Sequence, residues 1–287
     1  MPIRYEAPES VAQAIGLMQA DPSARIIAGG TDLLVRFRAG QERPSAFIDV
    51  KRIPELVRIT VDDGGLHLGA AASAADICEH ADVRRWWPGL VEAVHLIGST
   101  QIQGRATVGG NLCNGSPAAD ATCALIVNQA RCVIAGPGGE RTIPVEEFCT
   151  GPGRTALARG EVLVEVRMPR PAPRTADAYL RLIPRTEMDI AVAGAAVSVT
   201  LDEAGTCTAA RVAIGAVAPT ALDVPDAAGA LVGTTIDEAA LERAAAAARA
   251  AARPIDDKRG PAAYRRTVVG VLTRRAAHIA ATRARGL

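Results

Sequence analysis

A chain of 287 residues that is 49% apolar can bury a real core, and its length allows roughly two domains. A formal charge of +1 supplies no basic field for nucleic acid. No stretch approaches the run of about 20 uncharged apolar residues that spans a bilayer, and the opening MPIRYEAPES lacks the regions of a secretory leader, so a soluble, cytoplasmic chain is expected.

Ser10 and Gln13 read as a capping box for a helix through Met18. Residues 25–28 read as a buried strand that feeds directly into Gly29-Gly30-Thr31-Asp32. A short helix then runs to Arg38 and stops at Gly40, and residues 46–50 form another strand. Residues 1–55 are therefore expected to form a small β-α-β-like unit.

A second unit is expected over 56–175. It opens with a hairpin of strands 56–61 and 66–70 about the turn DDGG. Ser73 with Asp76 offers another cap, and Pro88 can start a helix carrying Leu90, Val94 and Ile97. TVGGNLCNGSPAAD at 107–120 is glycine-rich with no amphipathic period and reads as a loop. An apolar segment at 121–127 and strands at 130–135 and 161–167 follow, and proline-rich PRPAPRTAD at 169–177 marks a boundary.

The third unit, 176–287, carries alternating strands at 189–201 and 207–217 joined by DEAG. Thr235 and Glu238 read as a capping box for an alanine-rich helix to Arg253, and Pro261 starts a final helix. Arginines recur along that last helix at 265, 266, 274, 275, 283 and 285, with no acid beyond Asp257. They read as a solvated face with favourable charge at the helix C-terminus, or as a surface that docks an acidic partner.

The six cysteines contain no C-x-x-C pair, no histidine partner at zinc spacing and no tight iron–sulfur spacing, so they read as small core residues. The four histidines are scattered, with neither H-E-x-x-H nor a nucleophile elbow. No metal ligands are expected in this chain.

The chemistry is concentrated in the two glycine-rich stretches. A diphosphate needs several N–H donors brought close, and glycine permits the close backbone approach that turns successive amides into an anion-binding nest. A helix starting after Gly29-Gly30 adds its dipole. Thr31, Thr107 and Ser116 offer hydroxyls and Asn111 an amide, whereas Asp32 and Asp120 suit sugar or ribityl hydroxyls or helix capping. There is no G-x-x-x-x-G-K-[ST], and AGGTD is not G-x-G-x-x-G, which argues against P-loop and Rossmann sites. Each stretch alone is an ordinary turn; as a pair they point to one ligand gripped twice.

Four blocks in order, IIAGGTDLL, IGSTQIQGRATVGGNLCNGSPAAD, GEVLVEVRMP and RLIPRTEMDIAVAGAAVSVTLD, resemble the FAD-binding medium subunit of the molybdenum hydroxylases, the xanthine dehydrogenase and aerobic carbon monoxide dehydrogenase family. The resemblance covers nearly the whole chain. It implies an α+β fold: a two-part FAD-binding region of the vanillyl-alcohol oxidase (PCMH) type, followed by a C-terminal α+β domain of strands then helices. FAD would lie extended between the first two units, with the third flanking the flavin.

Carried over residue by residue, the resemblance implies cofactor contacts at Ile26, Ile27, Ala28, Gly29, Gly30, Thr31, Asp32 and Leu33, opposite Thr107, Gly109, Gly110 and Asn111. Asp120 would bind cofactor hydroxyls, with Ser116 as a further donor. Ile97 sits where some relatives place a phenylalanine near the flavin. Leu163 and Arg181 match further contacts, and Arg181 replaces a lysine common there, keeping the charge with a different geometry. One subfamily carries an extra iron–sulfur cluster on an inserted cysteine-rich loop, a pattern these cysteines do not match.

The implied role is electron transfer. A small partner subunit would carry two [2Fe–2S] clusters and a large one the molybdenum cofactor, the whole forming a dimer of heterotrimers. The electron acceptor is open among NAD, oxygen and a quinone or protein. The substrate, whether purine, nicotinate, another N-heterocycle, an aldehyde or carbon monoxide, belongs to another polypeptide. A stand-alone FAD oxidoreductase of the same fold, such as a cell-wall precursor reductase, would need a proton donor beside the flavin, and no motif for one is found. A non-catalytic nucleotide-binding module is the third reading.

Overall fold

The structure is a computed structural model that describes residues 3–287. Near the N-terminus a three-stranded parallel sheet places Ala46–Asp49 between Arg4–Glu6 and Arg25–Ile27. Parallel neighbours need crossover connections, and the helices Val11–Ala20 and Leu33–Arg38 supply them. The predicted cap forms, with Ser10 Oγ accepting from the Gln13 amide, while Gln13 Oε1 reaches back to the amide of Glu9. The helix runs to Ala20, beyond the expected Met18. Strand Arg4–Glu6 has no counterpart in the sequence reading; three residues are too few to show a period.

The second sheet is antiparallel and five-stranded, in the order Ile59–Asp62, Gly65–Gly69, Val162–Pro169, Arg131–Gly136, Gly139–Pro144. The expected hairpin is there, but Leu56 and Val57 belong to a helical turn, Pro54–Val57, that Pro54 starts. Helices Pro88–His95 and Asp120–Val127 cover the sheet, and fully buried Trp87, Leu90, Leu125, Ile126, Leu66 and Leu68 lock them together. The Pro88–His95 helix ends before Ile97, which leaves that side chain on a turn rather than on the helix face.

The last sheet is four-stranded and antiparallel: Thr175–Leu182, Ala193–Leu201, Cys207–Gly215 and Leu222–Asp223. Helices Glu238–Ala251 and Ala262–Arg285 pack on it through alanines such as Ala195, Ala244, Ala276 and Ala280. The second strand starts at Ala193 instead of residue 189. Thr235 does not cap the alanine-rich helix. Ile236 takes a left-handed φ of 54°, and Asp237 becomes the cap, accepting from the Ala240 amide.

The arginines of the last helix divide: Arg266, Arg274, Arg275 and Arg285 are exposed, with Arg283 and Arg285 in the last turn, as a solvated face with C-terminal charge requires, while several also find partners within the chain. Arg265 is 3% exposed and donates to Asp257 at 2.5 Å and to the Val192 carbonyl at 3.1 Å. Arg266 reaches the Ala252 carbonyl, Arg274 pairs with Glu238, and Arg285 donates to the Thr235 carbonyl. Arg283 pairs with Glu92 and donates to the Asp177 carbonyl, tying the final helix to the Pro88–His95 helix and the adjoining strand.

Candidate functional site

A cavity of about 510 Å³ opens between the first glycine loop and the segment around Gly109 and Gly110, a size in the range of small-molecule sites. Its wall includes Ile26, Ile27, Ala28, Gly29, Gly30, Thr31, Asp32 and Leu33 from the first loop. Facing them are Ile97, Thr107, Gly109, Gly110, Asn111 and Leu163. Residues read from the sequence as one gripping pair are thus brought to one cavity.

The two walls touch. A Cβ at Gly29 would lie 2.0 Å from the Arg105 carbonyl oxygen, so only glycine lets the first loop run against the segment leading into the second. The first loop also leaves its donors free. Among the described residues, no acceptor takes the consecutive N–H groups of Gly29, Gly30, Thr31, Asp32 and Leu33. Buried or half-buried amides are normally paired, so a run of free ones facing a cavity is an anion-binding feature.

The second stretch differs from its sequence reading. Residues 108–113, expected as loop, form a helix whose cap is Thr107, its Oγ1 accepting from the Gly110 amide at 2.9 Å. Two glycines disfavour a helix by about 1 kcal/mol each, and packing explains why Gly109 is there. A Cβ at Gly109 would meet the Ala70 carbonyl oxygen at 2.3 Å. The amide of Gly109 has no acceptor among the described residues, and Asn111 Oδ1 is buried without a partner.

These features fit a dinucleotide diphosphate and the hydroxyls beside it. Free amides on both walls can donate to phosphate oxygens, and the orphaned Asn111 oxygen asks for a ligand donor. The sequence reading missed Arg36, which lines the cavity with its Nε buried and unpartnered. The available signal was its place in the helix after the first loop, because helical side chains lean back toward the N-terminus. Arg159 also lines the wall without an ion-pair partner among the described residues.

Three sequence-predicted residues lie outside the cavity wall. Ser116 Oγ accepts from the Ala118 amide in a turn. Asp120 Oδ2 accepts from Arg181 at 2.6 Å and its Oδ1 from the Tyr179 hydroxyl at 2.8 Å, all buried. Burial pushes the Asp120 carboxyl up to about 6, with Arg181 and Tyr179 pulling the other way. Arg181 Nε is buried without an acceptor.

Cys113 is an exposed free cysteine that presents surface to the cavity, and the protein packed around its thiol pushes it up. Among the described residues no group of three or more His, Cys, Asp or Glu is placed to hold a metal ion. No helix among them is long and apolar enough to cross a membrane. The residues lining the site offer binding and orientation.

Comparison with known proteins finds relatives along the whole chain. Residues 1–171 match the family described as the FAD binding domain in molybdopterin dehydrogenase, and residues 178–280 the CO dehydrogenase flavoprotein C-terminal domain. The chain is 36% identical over 277 residues to the carbon monoxide dehydrogenase medium chain of Hydrogenophaga pseudoflava, covering 96% of each. It is 34% identical to the xanthine dehydrogenase FAD-binding subunit of Escherichia coli, over 75% of this chain and 74% of that one. Among solved structures it is similar to a chain of the Cu,Mo-CO dehydrogenase, with a TM-score of 0.94 at 33% identity over 98% of both chains. A chain of quinoline 2-oxidoreductase from Pseudomonas putida gives 0.93 at 30% identity over 99% of both.

Proposed function

Because the chain belongs to the family of FAD-binding medium subunits of the molybdenum hydroxylases, we propose that it is the electron-transfer subunit of such a complex. In this reading electrons arrive from [2Fe–2S] clusters on a small partner subunit, and a large partner holds the molybdenum cofactor. An external acceptor (NAD, oxygen or a quinone) takes the electrons away. Bound FAD supplies the capacity to take up electrons singly and release them singly or in pairs.

The observation that carries the proposal is the run of free amides from Gly29 to Leu33, facing Gly109 across the cavity. Two walls of donors suit a diphosphate better than one terminal phosphate. Asn111 and Arg36 add a buried acceptor and a buried donor. We carry Ser116, Asp120 and Arg181 as further cofactor contacts, supported by the resemblance and by the unpartnered Nε of Arg181.

Denaturing the pure protein is expected to release one equivalent of FAD into the supernatant. FMN, or flavin that stays with the precipitate, would contradict the proposal. The assembly we propose is a dimer of heterotrimers. Native mass spectrometry after co-expression with the candidate iron–sulfur and molybdenum subunits should show it; a free monomer under those conditions argues for the stand-alone alternative. We place the chain in the cytoplasm, supported by six free cysteines of the kind a reducing compartment preserves. Recovery of the native protein in the periplasmic fraction of its producer would refute that placement.

A further inference from the structure

We infer that Lys51 is a positioning residue for the first glycine loop: it holds the Ala28 carbonyl so that the Gly29 amide faces the cofactor's diphosphate. Lys51 stands behind the loop, outside the cavity wall. Its Nζ donates to the Ala28 carbonyl oxygen at 2.8 Å and to Asp49 Oδ1 at 2.6 Å. The peptide between Ala28 and Gly29 is trans, since no cis bond occurs among the described residues. A planar trans peptide points its C=O and N–H in opposite directions. Fixing the carbonyl toward Lys51 therefore fixes the Gly29 N–H away from it, and that N–H has no protein acceptor while Gly29 lines the cavity.

The anchor is itself anchored. Asp49 ends the central strand of the parallel sheet, accepts from the Lys51 amide at 3.0 Å, and receives the Tyr5 hydroxyl at 2.6 Å from the neighbouring strand. Its side chain is 13% exposed and that of Lys51 28%. Burial would push the Asp49 carboxyl up, but the hydrogen bonds from Lys51 and Tyr5 hold it below the usual carboxylate range, so it is ionised at neutral pH. The Lys51 charge is thus neutralised locally. What remains is a directional hydrogen bond, strand-mounted, that resists a flip of the loop peptide. A loop rich in glycine has little intrinsic resistance to such a flip.

The inference rests on the reading of the cavity as an FAD site. The test uses the full chain stripped of FAD and titrated with FAD, following flavin fluorescence, together with thermal unfolding of each apo variant. Lys51→Met is expected to weaken FAD about tenfold, the weight of one charged hydrogen bond, with the apo chain still folded and its unfolding temperature lowered by no more than the lost pair with Asp49 accounts for. Asp49→Ala, which unhooks Lys51 from its strand, should also weaken FAD. If Lys51 acted only as a positive charge on phosphate, Asp49→Ala would remove its neutraliser and tighten FAD; that result overturns the inference. So does a Lys51→Met protein that binds FAD as the wild type does, whatever its stability. If the wild-type apo chain itself fails to bind FAD, the functional proposal fails instead, which keeps the two failures apart.

Discussion

Gly110→Asp and Gly30→Asp are each expected to lower FAD affinity about a thousandfold, because a carboxylate about 4 Å from a phosphate at a dielectric of about 20 is repelled by roughly 4 kcal/mol. The two positions differ in cleanness. Gly30 has a φ of 76°, and a Cβ there would lie 3.0 Å from Ile27 Cδ1, so strain adds to charge. Gly110 has no such φ, and its Cβ would meet only the Thr107 Oγ1 at 2.8 Å. Gly110→Ala therefore imposes the same contact on the cap without the charge and should keep most of the FAD affinity. Arg274→Lys, which touches only the exposed pair with Glu238, should leave flavin content intact. The measurement is FAD bound per folded chain, with circular dichroism on each variant. If both aspartate variants fold and retain full FAD, the two segments are only structural and the site lies elsewhere.

The contrast between those glycines also shows what the sequence made legible. The first loop was readable because a short apolar strand runs straight into Gly29-Gly30 and a helix follows. The second was readable as an anion site but not as a helix. Gly109 and Gly110 lower local helix propensity, and the need for Gly109 arises only from the Ala70 backbone packed against it, a long-range contact without local trace. Strand Gly139–Pro144 was invisible for a different reason: it is a sheet edge with a mostly exposed face, and Gly-Glu-Arg-Thr shows no apolar alternation. Strand Thr175–Leu182 was hidden by the proline-rich stretch before it. Nor could the sequence show that Arg265 and Arg283 spend their charge inside the chain, since their partners Asp257 and Glu92 are joined to them only by the tertiary fold. Lys51 and Arg36 belong to the same class: single charged residues whose role depends on what the fold brings opposite them.

Arg181→Met is expected to destabilise the protein by about 3–5 kcal/mol, because it leaves the buried Asp120 carboxylate without its counter-charge. The side chains of Arg181 and Asp120 are only 5% and 9% exposed, so solvent screens little of the pair. The loss carries a pH signature whose sign follows from the folded carboxyl value. Burial already raises Asp120 to about 6 in the wild type, and Arg181 pulls it down, so removing Arg181 moves it further up. Above that value the wild type keeps an ionised, paired carboxylate, whereas the variant must hold a proton or bury a lone charge. The deficit therefore grows as pH rises above about 6 and shrinks below it, where the wild-type carboxyl is protonated too and Arg181 loses its counter-ion. Urea unfolding of both proteins on either side of that value measures it; a deficit independent of pH would mean that lost packing, not charge, is the cause. Asp120→Asn with Arg181→Met removes both charges and keeps an oxygen for the Tyr179 hydroxyl, so most of the stability should return. Stability regained with FAD affinity still reduced is the outcome expected of a pair that also reaches the cofactor. Recovery of both would confine Asp120 and Arg181 to holding the Asp120–Val127 helix against the strand Thr175–Leu182.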